Sequence, residues 1–370
     1  MKKEKIVLGM SGGVDSSVAA FLLQKRGFEV HGVFMKNWDD ENAICNAEDD
    51  YADALSVCNQ LQVPLKKINY TKEYKERVFN QFLIDHQNGF TPNPDVLCNK
   101  EIKFDVFQKY AEEIGANKIA SGHYAKIVKA NGKFFICKAV DSSKDQSYFL
   151  YQLTSKILES VEFPLGNILK KDIRKIAQEN NLINASKKDS TGICFIGDRK
   201  YNNFVSQFLK SNIGKIITVD GEEIGNHNGH MYFTVGQRKG LGIGARQSAF
   251  DQPWYVVNKD IDNNIVYVAQ GSDHPALFSD ELIADNMYWN LDIQKNIPFK
   301  CNAKVRYRDI DHSCSILSSK DDQCYIKFDH KIKAITSGQS IVLYHENGVC
   351  IGGGIIRKRN IPFLNEEINE

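Results

Sequence analysis

The stretch that decides the fold of the first half of the chain is KIVLGMSGGVDSS, residues 5–17. Its first five residues form a short apolar run that predicts a buried strand, and residues 15–25 have the period of a helix. The glycines between them let the backbone turn so that amides line a concavity, and Ser11 with Ser16 or Ser17 adds hydroxyl donors. We therefore expect a phosphate or pyrophosphate group to bind at this turn.

The rest of the first half alternates strand and helix patterns. The sequence predicts strands at 29–35, 64–69 and 118–121, helices at 48–61, 71–86 and 104–114, and a turn-rich loop at 89–95. Such alternation is typical of a parallel sheet with helices on both faces, whose ligands bind at the carboxyl ends of the strands. We therefore expect the glycine-rich turn, Met35 and Gly122-His123 to lie along one rim.

The second half of the chain is predicted to be mainly β. A predicted hairpin at 125–140 and predicted helices at 148–155, 171–180 and 201–209 precede this β region. The region itself begins with predicted strands at 215–219, 231–235, 254–258 and 265–269. Cys324, Ile326 and Phe328 alternate with polar or larger neighbours, as expected in a β-barrel. We predict three domains: an α/β domain at 1–204, a small β-rich domain at 205–278 and a β-barrel at 279–363.

Composition bounds the classes of function. The chain has 370 residues, 42% hydrophobic and 25% charged, with a formal net charge of +1, so a polyanion would have to bind at a local patch. The apolar runs are far shorter than the roughly 20 residues of a membrane helix, and the first ten residues are too short for a signal-peptide core. We expect a cytoplasmic protein without a membrane partner.

The nine cysteines are scattered and contain no C-x-x-C pair, which argues against a secreted disulfide framework. Cys98 and Cys194 stand out because both lie in polar segments rich in loop formers, and Lys100, Lys103 and Lys187-Lys188 place positive charge near them in sequence. A cysteine of this kind is a candidate for chemistry rather than for the core. The later cysteines lie in strand patterns, match no zinc spacing and are predicted to be buried: Cys301, Cys314, Cys324 and Cys350.

Two resemblances follow from these motifs. SGGVDS resembles the signature of the PP-loop ATP pyrophosphatases, which cleave ATP between its α and β phosphates, and it lacks the G-K-[ST] of a Walker A loop. Over essentially its whole length the chain is also similar to the bacterial-type tRNA-specific 2-thiouridylases. The matching blocks are GMSGGVDS at 9–16, NPDVLCN at 93–99, SGHYA at 121–125, KDQSYFL at 144–150, STGICFIG at 190–197, FTVGQRKGLGI at 233–243 and VRYRD at 305–309.

The second resemblance implies a fold like that of the adenine nucleotide α hydrolases and 2-thiolation of the wobble uridine of tRNA, with ATP and Mg²⁺. It implies that ATP contacts Gly9, Met10, Ser11, Gly12, Gly13, Val14, Asp15, Ser16, Met35 and Gly122. From the residues alone, Asp15 is a candidate for capping the helix or for helping to hold Mg²⁺. We predict no dedicated protein site for a metal.

The resemblance also implies the catalytic roles. Cys194 carries a persulfide delivered by a sulfur-donor protein, either a cysteine desulfurase or a relay carrier. The terminal sulfur attacks C2 of the uridine or is released as sulfide that does, and Cys98 then forms a disulfide with Cys194. Asn93, Pro94 and Asp95 meet the flipped target base, and Asp95 is the candidate acid or base, with a hydrogen bond to the base as the alternative.

Further residues are expected to contact tRNA: His123, Lys144, Asp145, Gln146, Tyr307, Arg308 and Gln339. Basic residues near the last three are candidates to extend that surface: Lys304, Arg306, Arg357, Lys358 and Arg359. Each of these charges has the alternative of a solvated face without a ligand. The glycine-rich loop 236–244 has two alternatives, a flexible basic loop that orders over the acceptor stem of the tRNA or covers the site, or a plain connecting loop.

Two rival functions remain open from the residues. A PP-loop ligase would adenylate its substrate and add nitrogen, and would need neither cysteine. An RNA-binding module with a relic nucleotide fold would bind tRNA without turnover. An iron–sulfur cluster is disfavoured, because two candidate cysteines are fewer than the usual four thiolate ligands.

Overall fold

The computed structural model describes residues 3–39, 46–189, 201–210, 212–243, 252–320 and 322–361. The chain divides into two compact units. The first comprises residues 1–80, 94–199 and 347–350, and the second comprises residues 81–93, 200–346 and 351–370. The predicted boundaries at 204 and 278 differ from this division and stay predictions.

The strands of the first unit are, in chain order, β1 Lys5–Gly9, β2 Glu29–Lys36, β3 Leu65–Asn69, β4 Lys118–Ala120, β5 Ala125–Ala130, β6 Lys133–Lys138 and β7 Val161–Glu162. Five of them form a sheet in the order β3-β2-β1-β4-β7, and every neighbouring pair is parallel. The other two, β5 and β6, form an antiparallel hairpin. The predicted α/β fold with a parallel sheet is confirmed.

The α-helices are α1 Val14–Lys25, α2 Asn46–Leu61, α3 Thr71–Tyr74, α4 Asn80–Gln87, α5 Pro94–Cys98, α6 Phe104–Ile114, α7 Ser155–Leu158, α8 Lys170–Glu179 and α9 Tyr201–Val205. Two π-helical turns, Lys75–Phe79 and Asn99–Lys103, join α3 to α4 and α5 to α6. Short 3₁₀ turns lie at Ser147–Phe149, His230–Tyr232, Pro275–Leu277 and Gln294–Asn296.

The core of the first unit is built on the central strand. Ile6, Val7 and Leu8 of β1 have no exposed surface, because strands pair on both edges of β1 and helices cover the sheet. Val18 and Leu23 of α1 are buried in one cluster with Ile6 and Leu8. Burial of each such side chain contributes about 1.5–3 kcal/mol to the stability of the fold. The strand and helix that flank the glycine-rich loop are therefore held in place by the core.

The second unit holds two β structures. Its strands are β8 Gly214–Thr218, β9 Glu223–His227, β10 Trp254–Asp260, β11 Ile265–Gln270, β12 Phe278–Trp289, β13 Phe299–Lys304, β14 His312–Lys320, β15 Gln323–Lys333, β16 Ser340–Tyr344 and β17 Cys350–Arg359. The first four form a sheet in the order β10-β11-β8-β9, and the last six close a barrel in the order β12-β15-β14-β13-β16-β17. The predicted barrel is confirmed, and all four of its cysteines are buried as expected.

Three local predictions were wrong. Residues 148–155 are not one helix, because the Asp145 carboxylate binds the backbone N–H and the hydroxyl of Ser147 and holds a turn there. Residues 231–235 are not a strand, because the Gln237 side chain accepts from Thr234 N in place of a strand partner. The third error is the loop assigned to 89–95: helix α5 begins at Pro94, so Asp95 and Cys98 are helical.

Candidate active site

The loop between β1 and α1 has its own carbonyl oxygens bound from within the protein. Ser16 Oγ and Ser17 Oγ each donate to Gly13 O at 3.0 Å. Asn184 Nδ2 donates to Gly12 O and to Ser17 Oγ, both at 2.9 Å. The bound carbonyl dipoles are thereby kept from opposing an anion at the positive end of α1, which is the electrostatic requirement of a phosphate loop.

Two glycines let the backbone pack tightly around this loop. Gly12 has φ +75°, and a Cβ atom on it would lie 2.3 Å from Asp50 O of helix α2. A Cβ atom on Gly122, just past β4, would lie 3.2 Å from Ser16 N. Larger residues would push the loop away from α2 and from the end of β4. The structure therefore brings Gly122 and the glycine-rich loop together.

Asp15 lies in the first turn of α1 but does not cap it, because the N-cap residue is Gly13. Its carboxylate accepts from Tyr124 Oη at 2.7 Å and from Lys170 Nζ at 2.7 and 2.8 Å. Burial and the Asp15 charge raise the pKa of Tyr124, so the phenol stays protonated and donates. The structure thus gives Asp15 a role that the sequence did not suggest, as the anchor of a buried lysine.

Lys170 links Asp15 to a second carboxylate. Its ammonium group lies 2.8 Å from Asp189 Oδ1, and Asp189 also binds Arg174 at 2.6 Å and Lys144 at 2.9 Å. Burial raises the pKa of Asp189, but hydrogen bonds and charge from Lys170 and Lys144 outweigh it and hold the pKa well below its usual range. Asp189 is therefore ionised at neutral pH, and the loop is tied to the residues after α8.

Helix α5 places two predicted catalytic residues on one face. Asp95 and Cys98 are three positions apart, a spacing that stacks side chains along a helix. Cys98 is 5% exposed. Burial raises the pKa of Asp95, and the charge of Lys103 only partly offsets it. A carboxyl group with a raised pKa on the same helix face as a candidate nucleophile is a candidate for general acid or base chemistry.

His123 follows β4 as an uncharged ring. Ser121 Oγ lies 2.7 Å from its Nδ1, and the ring stacks on Phe104 with centroids 6.2 Å apart. Burial and the charge of Lys103 lower the pKa of His123 well below its usual value. Any contact of His123 with RNA would therefore be stacking or hydrogen bonding rather than a charge on phosphate.

The predicted tRNA contacts at 144–146 have different surroundings. Asp145 is 3% exposed and accepts from Ala139 N and Ser147 Oγ, so its carboxylate holds the turn itself. Gln146 exchanges hydrogen bonds with the backbone of Tyr124 through its N–H and its Oε1. The charge of Lys144 is paired with Asp189. The structure thus assigns Asp145 a positioning role for its neighbours.

In the barrel, the predicted RNA surface is smaller than expected. Arg308 is exposed, with φ +63° and its guanidinium 5.3 Å from the Tyr307 ring centroid. Lys304 and Arg359 are buried, at 6% and 5% exposed, which corrects their assignment to a basic surface. Arg359 donates to Ser279 Oγ, Val257 O and Ala276 O, so its guanidinium N–H groups bind other parts of the β structure rather than a ligand. Arg306 and Lys358 are exposed, and Arg357 is half-buried.

Lysines near the cysteines in sequence turn out to have other partners. Lys187 Nζ binds Asp50 at 2.7 Å and Asp53 at 2.6 Å, and Lys100 pairs with Glu101 at 3.5 Å. For these two lysines, proximity in sequence therefore overstated the positive charge available to a thiolate. Cys194 and the block STGICFIG around it lie outside the described residues, so the predicted pairing of Cys98 with Cys194 stays a prediction.

Comparison with known proteins identifies the family. A family model described as tRNA methyl transferase HUP domain matches residues 4–198, one described as tRNA methyl transferase PRC-barrel domain matches residues 202–270, and one described as aminomethyltransferase beta-barrel domain matches residues 279–356. The tRNA-specific 2-thiouridylase MnmA 1 of Geobacillus kaustophilus is 50% identical over 359 residues, which are 96% of this chain and 96% of that protein.

The chain belongs to the tRNA-specific 2-thiouridylase family. Two further members are similar over nearly their whole length. The enzyme of Buchnera aphidicola subsp. Schizaphis graminum is 50% identical over 98% of this chain and 99% of its own, and that of Proteus mirabilis is 49% identical over 96% and 98%. Among solved structures, the U34-tRNA thiolase NcsA of Methanococcus maripaludis matches 55% of this chain and 63% of that chain at 16% identity, with a TM-score of 0.35.

Sequence reasoning missed several residues of this 2-thiouridylase family member that contact the loop or its partners. They are Tyr124, Lys170, Arg174, Asn184 and Asp189. Each is remote in sequence from the glycine-rich motif, and an isolated Lys or Asn gives no local signal. The start of α5 did have a signal, because Asn followed by Pro is typical of the first positions of a helix.

The described part of the chain offers no protein cage for Mg²⁺. It contains no group of three or more His, Cys, Asp or Glu side chains arranged to hold a metal ion. Both oxygens of Asp15 already accept from Lys170, so Asp15 as placed does not fit as a metal ligand. In the same described ranges, every helix is too short or too polar to cross a bilayer.

Proposed function

We propose that this chain catalyses ATP-dependent 2-thiolation of uridine 34, the wobble position of tRNA. The observation that carries the proposal is the phosphate loop at Gly9–Ser16, in which Ser16 and Asn184 donate hydrogen bonds to the carbonyls of Gly13 and Gly12. The chain that holds this loop is 50% identical to a 2-thiouridylase over 96% of its length. A loop of that kind supports ATP as the activating substrate.

Activation precedes sulfur transfer in this proposal. The C2 oxygen of uridine is a poor leaving group, and transfer of AMP to it, with release of pyrophosphate, makes it a good one. Gly9–Ser16 would bind the phosphates, and Met35 and Gly122 would contact the nucleoside. The close approach of Gly122 to Ser16 N supports a shared site for these residues. Mg²⁺ would accompany the phosphates as a bound counter-ion, held by the nucleotide and water rather than by Asp15.

Sulfur transfer uses two thiols. The terminal sulfur of a Cys194 persulfide attacks C2, AMP leaves, and the Cys98 thiolate then attacks Cys194 Sγ. That last step breaks the bond between Cys194 and the transferred sulfur, forms a Cys98–Cys194 disulfide and leaves the sulfur on C2. An external thiol reduces the disulfide. Asp95, on the same face of α5 as Cys98, would take or supply the proton.

The partners follow from the chemistry. A sulfur-donor protein of the desulfurase or relay class would load Cys194, and a reducing cytoplasm would regenerate the thiols. Asn93, Pro94 and Asp95 would meet the flipped base, while His123, Lys144, Gln146, Tyr307, Arg308 and Gln339 would contact or orient the tRNA.

A direct test combines two products. The purified protein is incubated with ATP, Mg²⁺, a persulfide donor and a tRNA transcript that carries uridine 34, and pyrophosphate and 2-thiouridine are measured. We expect both in a ratio of one to one, and neither with a matched transcript that carries cytidine 34. Persulfide-dependent thiolation should vanish in Cys98→Ser and in Cys194→Ser.

Other outcomes would contradict the proposal. Nitrogen transfer that persists in both cysteine variants would indicate a PP-loop ligase. Tight tRNA binding without pyrophosphate would indicate an RNA-binding module. Incorporation of a methyl group from S-adenosylmethionine would favour the chemistry named by the family models.

A further inference from the structure

The loop at 89–93, which leads into the predicted target-base residues, is held by one end of the barrel in the same structural unit. Thr91 N donates to Ser337 O at 2.9 Å. Gln339 Nε2 donates to Thr91 O at 2.8 Å and lies 3.5 Å from Pro92 O. Both backbone groups of Thr91 are therefore bound by neighbours that lie about 250 positions later in the chain.

The approach of this loop to the barrel requires glycine at position 338. Gly338 has φ +91°, and a Cβ atom there would lie 2.7 Å from Thr91 N and 2.7 Å from Phe90 Cβ. A side chain would both strain the backbone and displace the loop. Arg357 adds a cation–π contact, with its guanidinium 4.8 Å from the Phe90 ring centroid, and an ion pair to Asp285 fixes Arg357 in turn.

Gln339 is itself fixed by its backbone. Gln339 N donates to Thr336 O at 3.2 Å, and its carbonyl accepts from Ile356 N at 2.9 Å. The amide nitrogen of the side chain carries two N–H donors and lies within hydrogen-bond distance of the carbonyls of both residue 91 and residue 92. With one N–H on each carbonyl, a donor contact to RNA would have to break one of these two bonds. This geometry is that of a brace on the loop.

The two prolines of the loop connect the position of Thr91 to the conformation of Asn93. Proline fixes its own φ, and the residue before a proline is restricted to extended conformations. Pro92 therefore restricts Thr91, and Pro94 restricts Asn93. A fixed position for Thr91 and Pro92 therefore fixes the direction in which Asn93 presents its side chain. Because reacting groups must be held to within a fraction of an ångström, a small displacement here costs rate rather than affinity.

We infer that Gln339 is a positioning residue for the target base: its amide braces the carbonyls of Thr91 and Pro92, and the barrel thereby orients Asn93. The inference rests on the proposed function for its catalytic consequence, but the brace itself can be tested without activity. It assigns the barrel a part in presenting the base, beyond a surface for tRNA.

The structural arm of the test measures amide hydrogen exchange in the full-length protein without substrates. In Gln339→Met, which keeps the length of the side chain and removes its donor, exchange in peptides spanning 88–93 should accelerate about tenfold, as expected for the loss of one to two hydrogen bonds. Gln339→Glu keeps the shape, sets carboxylate oxygens against two carbonyls and should accelerate exchange at least as much. Gln323→Met, an exposed site on β15, is the matched control and should change nothing.

The kinetic arm separates bracing from direct RNA contact. We expect Gln339→Met to lower the thiolation rate at saturating tRNA about tenfold, with tRNA affinity within twofold of wild type. When Gln339→Met is added to the Asn93→Ala variant, it should have little further effect on the rate, because the Asn93 side chain that the brace orients is already absent. Weaker tRNA binding with an unchanged maximal rate, or additive effects with Asn93→Ala, would overturn the inference in favour of direct RNA contact.

The two proposals fail in distinguishable ways. Unchanged exchange at 88–93 in both Gln339 variants would overturn the brace, whatever the activity. If wild-type protein formed no 2-thiouridine, the proposed function would fail, and the exchange result would still decide whether Gln339 holds the loop.

Discussion

At the scale of single residues, the site combines groups whose pKa values are moved in opposite directions by their surroundings. Burial raises the pKa of Asp95, whereas Lys170 and Lys144 hold that of Asp189 low against the effect of burial. Asp189 is thus a fixed charge at neutral pH, while Asp95 is the carboxyl group whose protonated form is favoured by its surroundings. Their environments, and not their residue type, separate the two roles.

Asp95→Asn should lower activity strongly and stabilise the fold. A carboxyl group whose pKa is raised by folding contributes stability that is present at low pH and is lost as the pH rises through the folded pKa, because the charged form is disfavoured. Asparagine carries no charge, so the variant should unfold at a higher temperature than wild type at pH 8, with a smaller difference at pH 5. Thiolation should fall about 10²-fold or more, as for loss of a general acid or base.

The matched control is Asp105→Asn on helix α6, where Asp105 pairs with Lys109 on the surface at 2.8 Å. That variant should lose no more than about 0.5 kcal/mol of stability and should retain its activity. Thermal unfolding at the two pH values and single-turnover thiolation check both variants. An Asp95→Asn protein that is less stable than wild type at pH 8, or still active, would contradict the assignment.

The conformation or burial of a residue could be predicted from the sequence where a local rule applies. Gly12 lies in a motif whose backbone requires φ > 0, and Cys301, Cys314 and Cys324 alternate with exposed or half-buried neighbours, so both predictions needed only nearby residues. The burial of Lys304 and Arg359 could not be predicted in this way. The acceptors of Arg359 include Val257 O and Ala276 O, which are 102 and 83 positions away in the chain.

At the scale of elements, residues in and after helix α8 bind the phosphate loop and its neighbours. Asn184 binds Gly12 O and Ser17 Oγ, Lys170 binds Asp15, and Lys187 binds Asp50 and Asp53 of α2. Among the residues that the structure describes, Asn184 Oδ1 is buried without a hydrogen-bond partner, a cost of about 1–3 kcal/mol. The amide is therefore retained for its donors.

Asn184→Leu should raise the KM for ATP about tenfold in pyrophosphate release, because Gly12 O loses its donor and its dipole is freed to oppose the phosphates. Stability should change little, since the unpartnered Oδ1 is removed together with the two bonds. Asn203→Leu, at an exposed position of α9, is the control and should keep the wild-type KM. An unchanged KM for ATP in a folded Asn184→Leu protein would show that the loop needs no such support.

Helix α5 shows what element prediction lacks. The pattern of Asn93 and Pro94 was a valid helix start, but two prolines and a glycine within six residues also fit a turn, and local rules do not decide between them. The outcome matters for function, because only a helix places Asp95 and Cys98 on one face. The strand predicted at 231–235 does not form, because the Gln237 side chain accepts from Thr234 N, a backbone group that a neighbouring strand would otherwise have bound.

At the scale of the whole molecule, the sequence specified the order of the architecture and the family, because strand-helix alternation and several motif blocks are spread along the chain. Sequence could not predict that residues 81–93 group with the later half of the chain, and that the predicted base motif crosses from one unit to the other between Asn93 and Pro94. Long-range bonds such as that of Gln339 to Thr91 produce this grouping.

The central claim is that Cys98 releases the sulfur carried by Cys194 and becomes disulfide-bonded to it. Protein loaded with one persulfide at Cys194 is mixed with ATP and tRNA, without external thiol, then alkylated and digested for mass mapping, with Cys137→Ser as a control. We predict one Cys98–Cys194 linked peptide for each 2-thiouridine formed, in wild type and control alike. Formation of 2-thiouridine with Cys98 still available to the alkylating agent would contradict the account.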